Sequence, residues 1–374
     1  MSARAVARRV AARPARLAMQ SLAGVRTRGW PPASRLFAVS DVGGWSVAED
    51  ACHLEATARR LGYLVAPSNW ARFASRQSVF LTSHFDALSA RWLESSHRLA
   101  TAYLHGRPGT PGFPEFDDSF ATLRRHADRI DRVQVTHAEM HELVISAGVP
   151  PERVFRIPIG IDLEHFSLGD AESKARARES LGLPSAAFVA GSFQKDGVGW
   201  AEGLEPKLVK GPDVLVSVLE HLRAETPELH VLLTGPARGY VRNELERLGL
   251  PYRHIVTSTR RDLAKAFHAV DVCLVTSRQE GGPKAVLESM ATGTPLVSTR
   301  VGQAQELVDD GRNGLLADVD DVAALAAQAT RVRDEPDLVS ALRQAGRATA
   351  ESLAYERLDH LWAALLDGFV TRAD

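Results

Sequence analysis

The sequence predicts an α/β chain of two doubly wound domains in tandem, and three observations carry that prediction. Its 374 residues exceed the roughly 150 that one domain usually holds. Apolar residues at 45% and charged residues at 24% are ordinary globular values, which excludes disorder and fibre for most of the chain. Strand-like apolar runs alternate with amphipathic stretches of helix length almost throughout, as in parallel sheets made from βαβ units.

In the first half the runs are RLFAVS, GYLVA, SVFLTSH, LATAYLH, RVQVTH and RVFRIPI, with helices predicted over 46–61, 86–98 and 117–131. A break near 160–185 leads into the charged helix ESKARARESLG. In the second half the runs are AAFVAGSF, LHVLLTG, RHIVTS, DVCLVTS and TPLVSTR, joined by helices over 212–223, 238–248, 261–269, 284–292 and 303–310. This spacing gives one domain over 35–167, a second over 168–350, and a terminal segment, 351–374. A helix over about 351–370 bears the stripe Leu353, Tyr355, Leu358, Leu361, Trp362, Leu365 and Phe369, wide enough to pack back toward the first domain. The two sheets are expected to face their carboxyl-end loops across a cleft, since open α/β sheets bind ligands at those ends.

Charge is unevenly spread. The net charge is −1, yet residues 1–40 hold eight arginines and no acid, which leaves −9 on the remainder. Residues 1–34 therefore read as a flexible basic leader, or as a segment suited to peripheral contact with an anionic membrane. No recognisable nucleic-acid reader accompanies those arginines, so no nucleic-acid partner is expected. The two cysteines, Cys52 and Cys273, are far apart in apolar surroundings, which suits buried thiols in a reducing, cytoplasmic setting. No stretch approaches the ~20 apolar residues that span a bilayer.

Chemistry concentrates in QEGGPKAVLESMATGTP, residues 279–295. A buried-type strand ends at Ser277, a Glu-Gly-Gly-Pro turn follows, and a helix starts near Lys284. Glycines there let a ligand approach backbone N–H groups, and the helix start favours phosphate or sugar oxygens. Glu280 on the loop and Glu288 one turn into the helix can both accept hydrogen bonds from hydroxyls at the cleft mouth. Asp41-Val-Gly-Gly-Trp45 is a second glycine turn, in which Gly43 and Gly44 offer N–H groups to a phosphate. His137 and His141 stand one helical turn apart, a zinc-like spacing, but the acid is displaced and no third ligand is evident. That pair reads as a solvated helix face.

These strings resemble the retaining GT-B glycosyltransferases of the family-4 type. The family signature is a glutamate, seven residues, a second glutamate, a helix of small residues ending in Gly-x-Pro, and a strand. Glu280, Glu288, Gly293 and Pro295, followed by LVSTR, match it in place. VGQAQELVDDGRNGLL is similar to the family's next block through Glu306, Gly311, Asn313 and Gly314, and RVFRIPIGIDLEHF to its interdomain segment, with Ile159 where relatives often have Asn. The resemblance covers most of 36–370 and is most specific over 270–316.

It implies transfer of a hexose from a nucleoside-diphosphate sugar to a glycan, lipid or small-molecule acceptor, with retention and without a metal or other cofactor. Glu288 is implied to hold the ribose. Glu280, Gly281, Gly282, Pro283 and Lys284 are implied to contact the donor, as are Gly43 and Gly44. His105, ending LATAYLH, matches the position where relatives place a histidine beside the transferred sugar; His84 is the competing candidate. The family's phosphate-binding Gly-Arg-Leu is here Gly191-Ser192-Phe193, and its Lys-Gly is Lys210-Gly211 after the insertion DGVGWAEGLEPKLV. Lys210 is the expected phosphate cation, and Lys195 or Lys207 replaces the missing arginine. Alternatives on the same architecture are a nucleotide-sugar epimerase, a sugar-phosphate synthase, or a non-catalytic nucleotide-sugar-binding protein.

Overall fold

The computed structural model describes residues 34–40 and 46–373. Residues 1–33 of the basic leader, and the turn with Gly43 and Gly44, lie outside the described residues. The chain divides into two compact units. Unit 1 takes the described residues up to Ile157 together with those from Asp359 onward, and unit 2 takes Pro158–Leu358. The change of unit at Ile157 precedes the 167/168 boundary read from the sequence, because Ile161 already forms a bridge with Ala354 of unit 2.

Unit 1 runs β1 (Leu36–Val39), α1 (Ser46–Arg60), β2 (Ser78–Leu81), the short helices α2 (His84–Ala87) and α3 (Ala90–Leu93), β3 (Arg98–Ala102), α4 (Pro114–Arg125), β4 (Ile130–Val135), α5 (Ala138–Ser146) and β5 (Val154–Arg156). Its five parallel strands lie in the order β1-β2-β3-β4-β5. Both faces are covered. Along β1, Phe37 enters one apolar cluster with Val79 and Leu81, while Leu36 and Ala38 enter the other with Phe80. Such two-sided burial makes a parallel strand read as an unbroken apolar run. GYLVA is not a full strand. It makes two isolated bridges, Val65 to Leu36 on the far side of β1 and Tyr63 to Arg372, before Pro67. The helix expected over 86–98 is two four-residue helices instead. Helix α4 starts on Pro114, whose fixed φ suits a first helical position.

Unit 2 runs α6 (Ala171–Leu181), β6 (Phe188–Ser192), α7 (Pro212–Glu225), β7 (Leu229–Thr234), α8 (Gly239–Leu248), β8 (Tyr252–Ile255), α9 (Arg260–Ala269), β9 (Val272–Val275), α10 (Lys284–Thr292), β10 (Leu296–Thr299), α11 (Ala304–Leu307), β11 (Leu315–Ala317), α12 (Val322–Asp334) and α13 (Pro336–Ser352). Its six parallel strands are ordered β11-β10-β9-β6-β7-β8, so the winding reverses between β6 and β9. Here too alternate residues feed two cores: Val189, Cys273 and Leu296 on one face, Ala190, Leu274 and Val297 on the other.

The terminal helix expected over 351–370 is broken. Helix α13 stops at Ser352, and Leu353 O accepts from Ile161 N at 3.1 Å while Tyr355 N donates to Ile161 O at 3.2 Å. A new helix, α14 (Asp359–Leu366), then belongs to unit 1. It brings Leu365 and Leu366 into the cluster of Leu36, Leu54 and Phe80, joined there by Phe369 and Val370. Among the described residues no helix is long and apolar enough to cross a membrane.

Candidate functional site

Where a doubly wound sheet reverses, the loops leaving the two central strands diverge and open a crevice at their carboxyl ends. In unit 2 those strands are β6 and β9, so the loops 193–211 and 276–283 define the place. The two loops are laced together. Arg278 N and Gln279 N both donate to Val209 O, at 2.8 and 3.1 Å, and Thr276 Oγ1 donates to Gly211 O at 2.9 Å. Gly211 has φ +59°, and a Cβ there would fall 1.9 Å from Thr276 O, so only glycine fits. Gln194 Nε2 donates to Lys210 O at 2.9 Å, and Arg278 grips Asp213 at 2.8 and 2.6 Å.

That lacing brings Lys210 and Glu280 together. Their side chains form an ion pair, Nζ against Oε1, and the Ser277 hydroxyl donates to the same carboxylate oxygen at 3.1 Å. Both are partly accessible. Behind Glu280 the loop is stacked on the turn before α11. Gln303 N donates to Gly281 O at 2.9 Å, and the Gln303 amide holds Ile159 through N (2.8 Å) and O (3.3 Å). A Cβ on Gly282 would lie 2.7 Å from Gln303 Cδ and 2.9 Å from Ile159 Cδ1. One on Gly302 would lie 2.4 Å from Glu280 O. Gly282, read from sequence as room for a ligand, is thus already required by packing. Ile159 contributes its backbone to this contact, which explains how an apolar residue serves there. Pro283 immediately precedes α10 and is buried, while Lys284 at the helix start is partly exposed.

Glu288 sits in α10 with 4% of its surface exposed, and its Oε1 accepts from Arg260 Nη1 at 2.7 Å. Burial pushes its carboxyl above the usual carboxylate range, against the pull of Arg260 and Lys284. Arg260 opens α9 after the cap Thr259 and lies over the Phe166 ring. Sequence reasoning missed Arg260; an arginine after an N-cap threonine gives no sign of which carboxylate it meets.

The surroundings of Ser192 also differ from expectation. The cation beside it is Arg238, from the β7–α8 connection, donating to Ser192 O (2.8 Å), Ser192 Oγ (3.0 Å) and Thr234 O (2.9 Å). Arg238 Nε stands 3.0 Å from Asp196 Oδ1, with both side chains fully buried. Lys195 donates to Gly197 O at 3.0 Å with its ammonium 4.9 Å from the centre of the Trp200 ring, and burial lowers its pKa, aided by Lys210. Lys207 enters through its backbone, its N donating to Asp196 O at 2.7 Å. Asp196 is held above the carboxylate range by burial, which outweighs Arg238 and Lys210.

In unit 1, His105 is half-buried beyond the end of β3, with Phe116 and Phe85 at 5.8 and 6.1 Å between ring centres. His84, beyond the end of β2, is buried and stacked on Tyr103 at 4.0 Å. His137 and His141 do not converge. His137 is buried at the start of α5 beside Thr136 and Glu139, which corrects the solvated-face reading for that residue, while His141 lies 3.2 Å from Glu142. Among the described residues no group of three His, Cys, Asp or Glu side chains is placed to hold a metal.

Comparison with known proteins shows the family and the fold. Residues 197–335 match the family described as Glycosyl transferases group 1. A D-inositol 3-phosphate glycosyltransferase of Catenulispora acidiphila is 30% identical over 309 residues, covering 76% of this chain and 69% of the relative. A protein of the same name from Xylanimonas cellulosilytica is 33% identical over 247 residues, 63% of this chain and 55% of that one. The chain thus spans little more than half the length of several relatives it matches. Among solved structures, the Anabaena protein HepE in complex with UDP-glucose superposes with TM-score 0.71 at 18% identity, over 90% of this chain and 100% of that one. Sucrose-phosphate synthase from Thermosynechococcus elongatus gives 0.68 at 17%, over 89% and 98%. The fold is GT-B, and the chain belongs to the group 1 glycosyltransferases of the family-4 type.

Proposed function

We propose that this chain transfers a hexose from a nucleoside-diphosphate sugar to an acceptor hydroxyl with retention at the anomeric carbon. One observation supports the reading above the others: Lys210 and Glu280 meet at the reversal point of the unit 2 sheet, with Glu288 held by Arg260 in the helix that follows. In this reading the donor exchanges partners with the pair. Its diphosphate takes the Lys210 ammonium and backbone N–H groups at the start of α7, and the Glu280 carboxylate turns to the hydroxyls of the sugar. Glu288 accepts from the ribose hydroxyls, with Arg260 as its ion-pair partner. Lys195 adds positive charge from the same loop, and Arg238 keeps that loop in place from beneath.

The C1–O bond to phosphate breaks and the bond from C1 to the acceptor oxygen forms on the same face. The acceptor proton passes to the departing phosphate oxygen, giving a nucleoside diphosphate and the glycoside. Charge on the leaving diphosphate is stabilised by prearranged lysine and backbone donors, so the reading calls on no metal. UDP-glucose is bound by HepE, and an inositol phosphate is named in the relatives, so a UDP-hexose and a phosphorylated cyclitol are the first substrates to try.

The test is incubation with UDP-, GDP- and ADP-hexoses and candidate acceptors, with the product anomer read by NMR and a chelator in parallel. The expected product keeps the donor's α configuration, its rate is unchanged by chelator, and Glu280→Gln and Lys210→Met each slow it about a hundredfold or more. An inverted product would refute the mechanism, and a wild-type rate in either variant would remove that residue from the site.

A further inference from the structure

At the amino ends of the unit 2 strands, the opposite end of the sheet from loops 193–211 and 276–283, lies a cavity of about 450 Å³. Phe188, the first residue of β6, lines it, as do Asp271 and Pro295, which directly precede β9 and β10. Lys174 of α6 faces it from one side, and Arg333 of α12 with Val339 and Arg343 of α13 from the other. Every one of these residues belongs to unit 2. The volume is that of an ordinary small-molecule site.

The cations of this wall differ in how their charge is answered. Lys174 pairs with Asp271, whose other oxygen accepts from Arg178 Nη2 at 2.6 Å and Val189 N at 2.7 Å. Arg333 pairs with Asp334 at 2.6 and 2.8 Å. Asp170, also in the wall, caps α6 by accepting from Ser173 N at 2.7 Å. Arg343 meets no carboxylate among the described residues. Its Nη1 donates to Gly293 O at 2.9 Å and its Nη2 to Gly169 O at 2.8 Å, which pins a partly buried guanidinium at the cavity wall. A guanidinium has more N–H groups than these two carbonyls occupy. Its charge is left without a counter-charge, a costly state for a group withdrawn from water. Beside it the wall turns apolar, through Phe188, Val270 and Val339.

We propose that this cavity is a second ligand site, separate from the transfer site, which takes a small organic anion: its carboxylate or phosphate pairs with Arg343 and its apolar body packs on Phe188, Val270 and Val339. A bare phosphate would satisfy Arg343 but leave the apolar wall wet and most of the space empty. An uncharged apolar molecule would cover Arg343 without neutralising it, and a cation would meet Lys174, Arg333 and Arg343 around one space. Lying at the other end of the sheet, the site does not depend on the transfer reading.

Calorimetric titration of the full chain with α-naphthyl phosphate and α-naphthoate tests this. The controls are α-naphthol, which has the body without the charge, and inorganic phosphate, which has the charge without the body. At least one of the two anions is expected to bind at a single site, at least tenfold more tightly than either control, and the tighter one gives the head group. Arg343→Met, which removes the charge, and Val339→Trp, which fills the space and leaves Arg343 in place, are each expected to weaken that anion about tenfold or more. Should Arg343→Met fail to fold, because Arg343 also ties Gly169 to Gly293, Val339→Trp decides. Lys210→Met is expected to leave anion binding unchanged. Binding of neither anion, equal affinity for a control, wild-type affinity in the folded cavity variants, or loss of binding in Lys210→Met overturns the site. A chain that binds the anion but transfers no sugar would end the transfer reading and leave this site standing.

Discussion

At Glu280 and Glu288 the two carboxylates of the signature meet different environments. Glu280 is reachable and shares its charge with Lys210 and the Ser277 hydroxyl, whereas Glu288 is buried and answered by Arg260. A carboxyl held above its ordinary pKa binds its proton more tightly folded than unfolded. The contribution of Glu288 to stability is therefore full below the ordinary carboxylate range and is lost as pH rises through its raised folded value. Above that value an ionised Glu288 is a cost to the fold. Glu288→Gln is expected to leave the Tm at pH 7 equal to or above wild type, to flatten its fall with pH, and to weaken nucleotide affinity about tenfold or more. Melting curves across pH together with calorimetric titration check this; a Tm several degrees below wild type would show that the carboxylate stabilises the fold.

At the level of elements, the loops after β6 and β9 build the candidate site, and glycine makes their close approach possible. Gly211 and Gly182 form a matched pair for measuring this. Both have positive φ, +59° and +66°, but a Cβ on Gly182, after α6, meets nothing within 4 Å, while one on Gly211 runs into Thr276. Gly182→Ala should lose only the conformational cost of about 1–2 kcal/mol and keep full turnover. Gly211→Ala should lower the Tm further and cut turnover at least tenfold, since Lys210 moves with its neighbour. Equal turnover in the two variants would show that the lacing does not govern the site. The insertion after β6 belongs to the same element. Gly197 bridges Pro206, and Gly239 N and Tyr240 N donate to Glu202 O and Gly203 O, so it is anchored to the Arg238 turn.

For the whole molecule, the chain returns to unit 1 only at its end. Leu365, Leu366, Phe369 and Val370 are buried against the first strands, each contributing about 1.5–3 kcal/mol at most. Arg60 holds Asp359, through Nε at 2.8 Å, where the chain re-enters. Deleting residues 359–374 is expected to speed amide exchange in β1 and α1 severalfold to unfolding rates and leave β6–β9 protected. Hydrogen exchange by mass spectrometry reads both regions at once; unchanged protection of β1 would show that unit 1 is complete without the return.

Much of this was legible in the sequence because the physics behind it is local. Parallel strands buried on both faces must be apolar throughout, so β6, β7, β9 and β10 announce themselves, and the Glu280–Pro295 string carries its own turn, helix and stop. Short or broken elements were harder: GYLVA has the composition of a strand but keeps only two isolated bridges, and the helix ending at Ser352 stops for a pairing with Ile161 that lies far away in the chain. The sequence alone determined the strand-and-helix alternation and singled out Glu280, Glu288 and Lys210 as candidates. Only the tertiary structure decided that Arg238 occupies the surroundings of Ser192 and that Arg260 answers Glu288. Ion pairs and buried hydrogen bonds join residues by distance in space, and neither composition nor period records that distance.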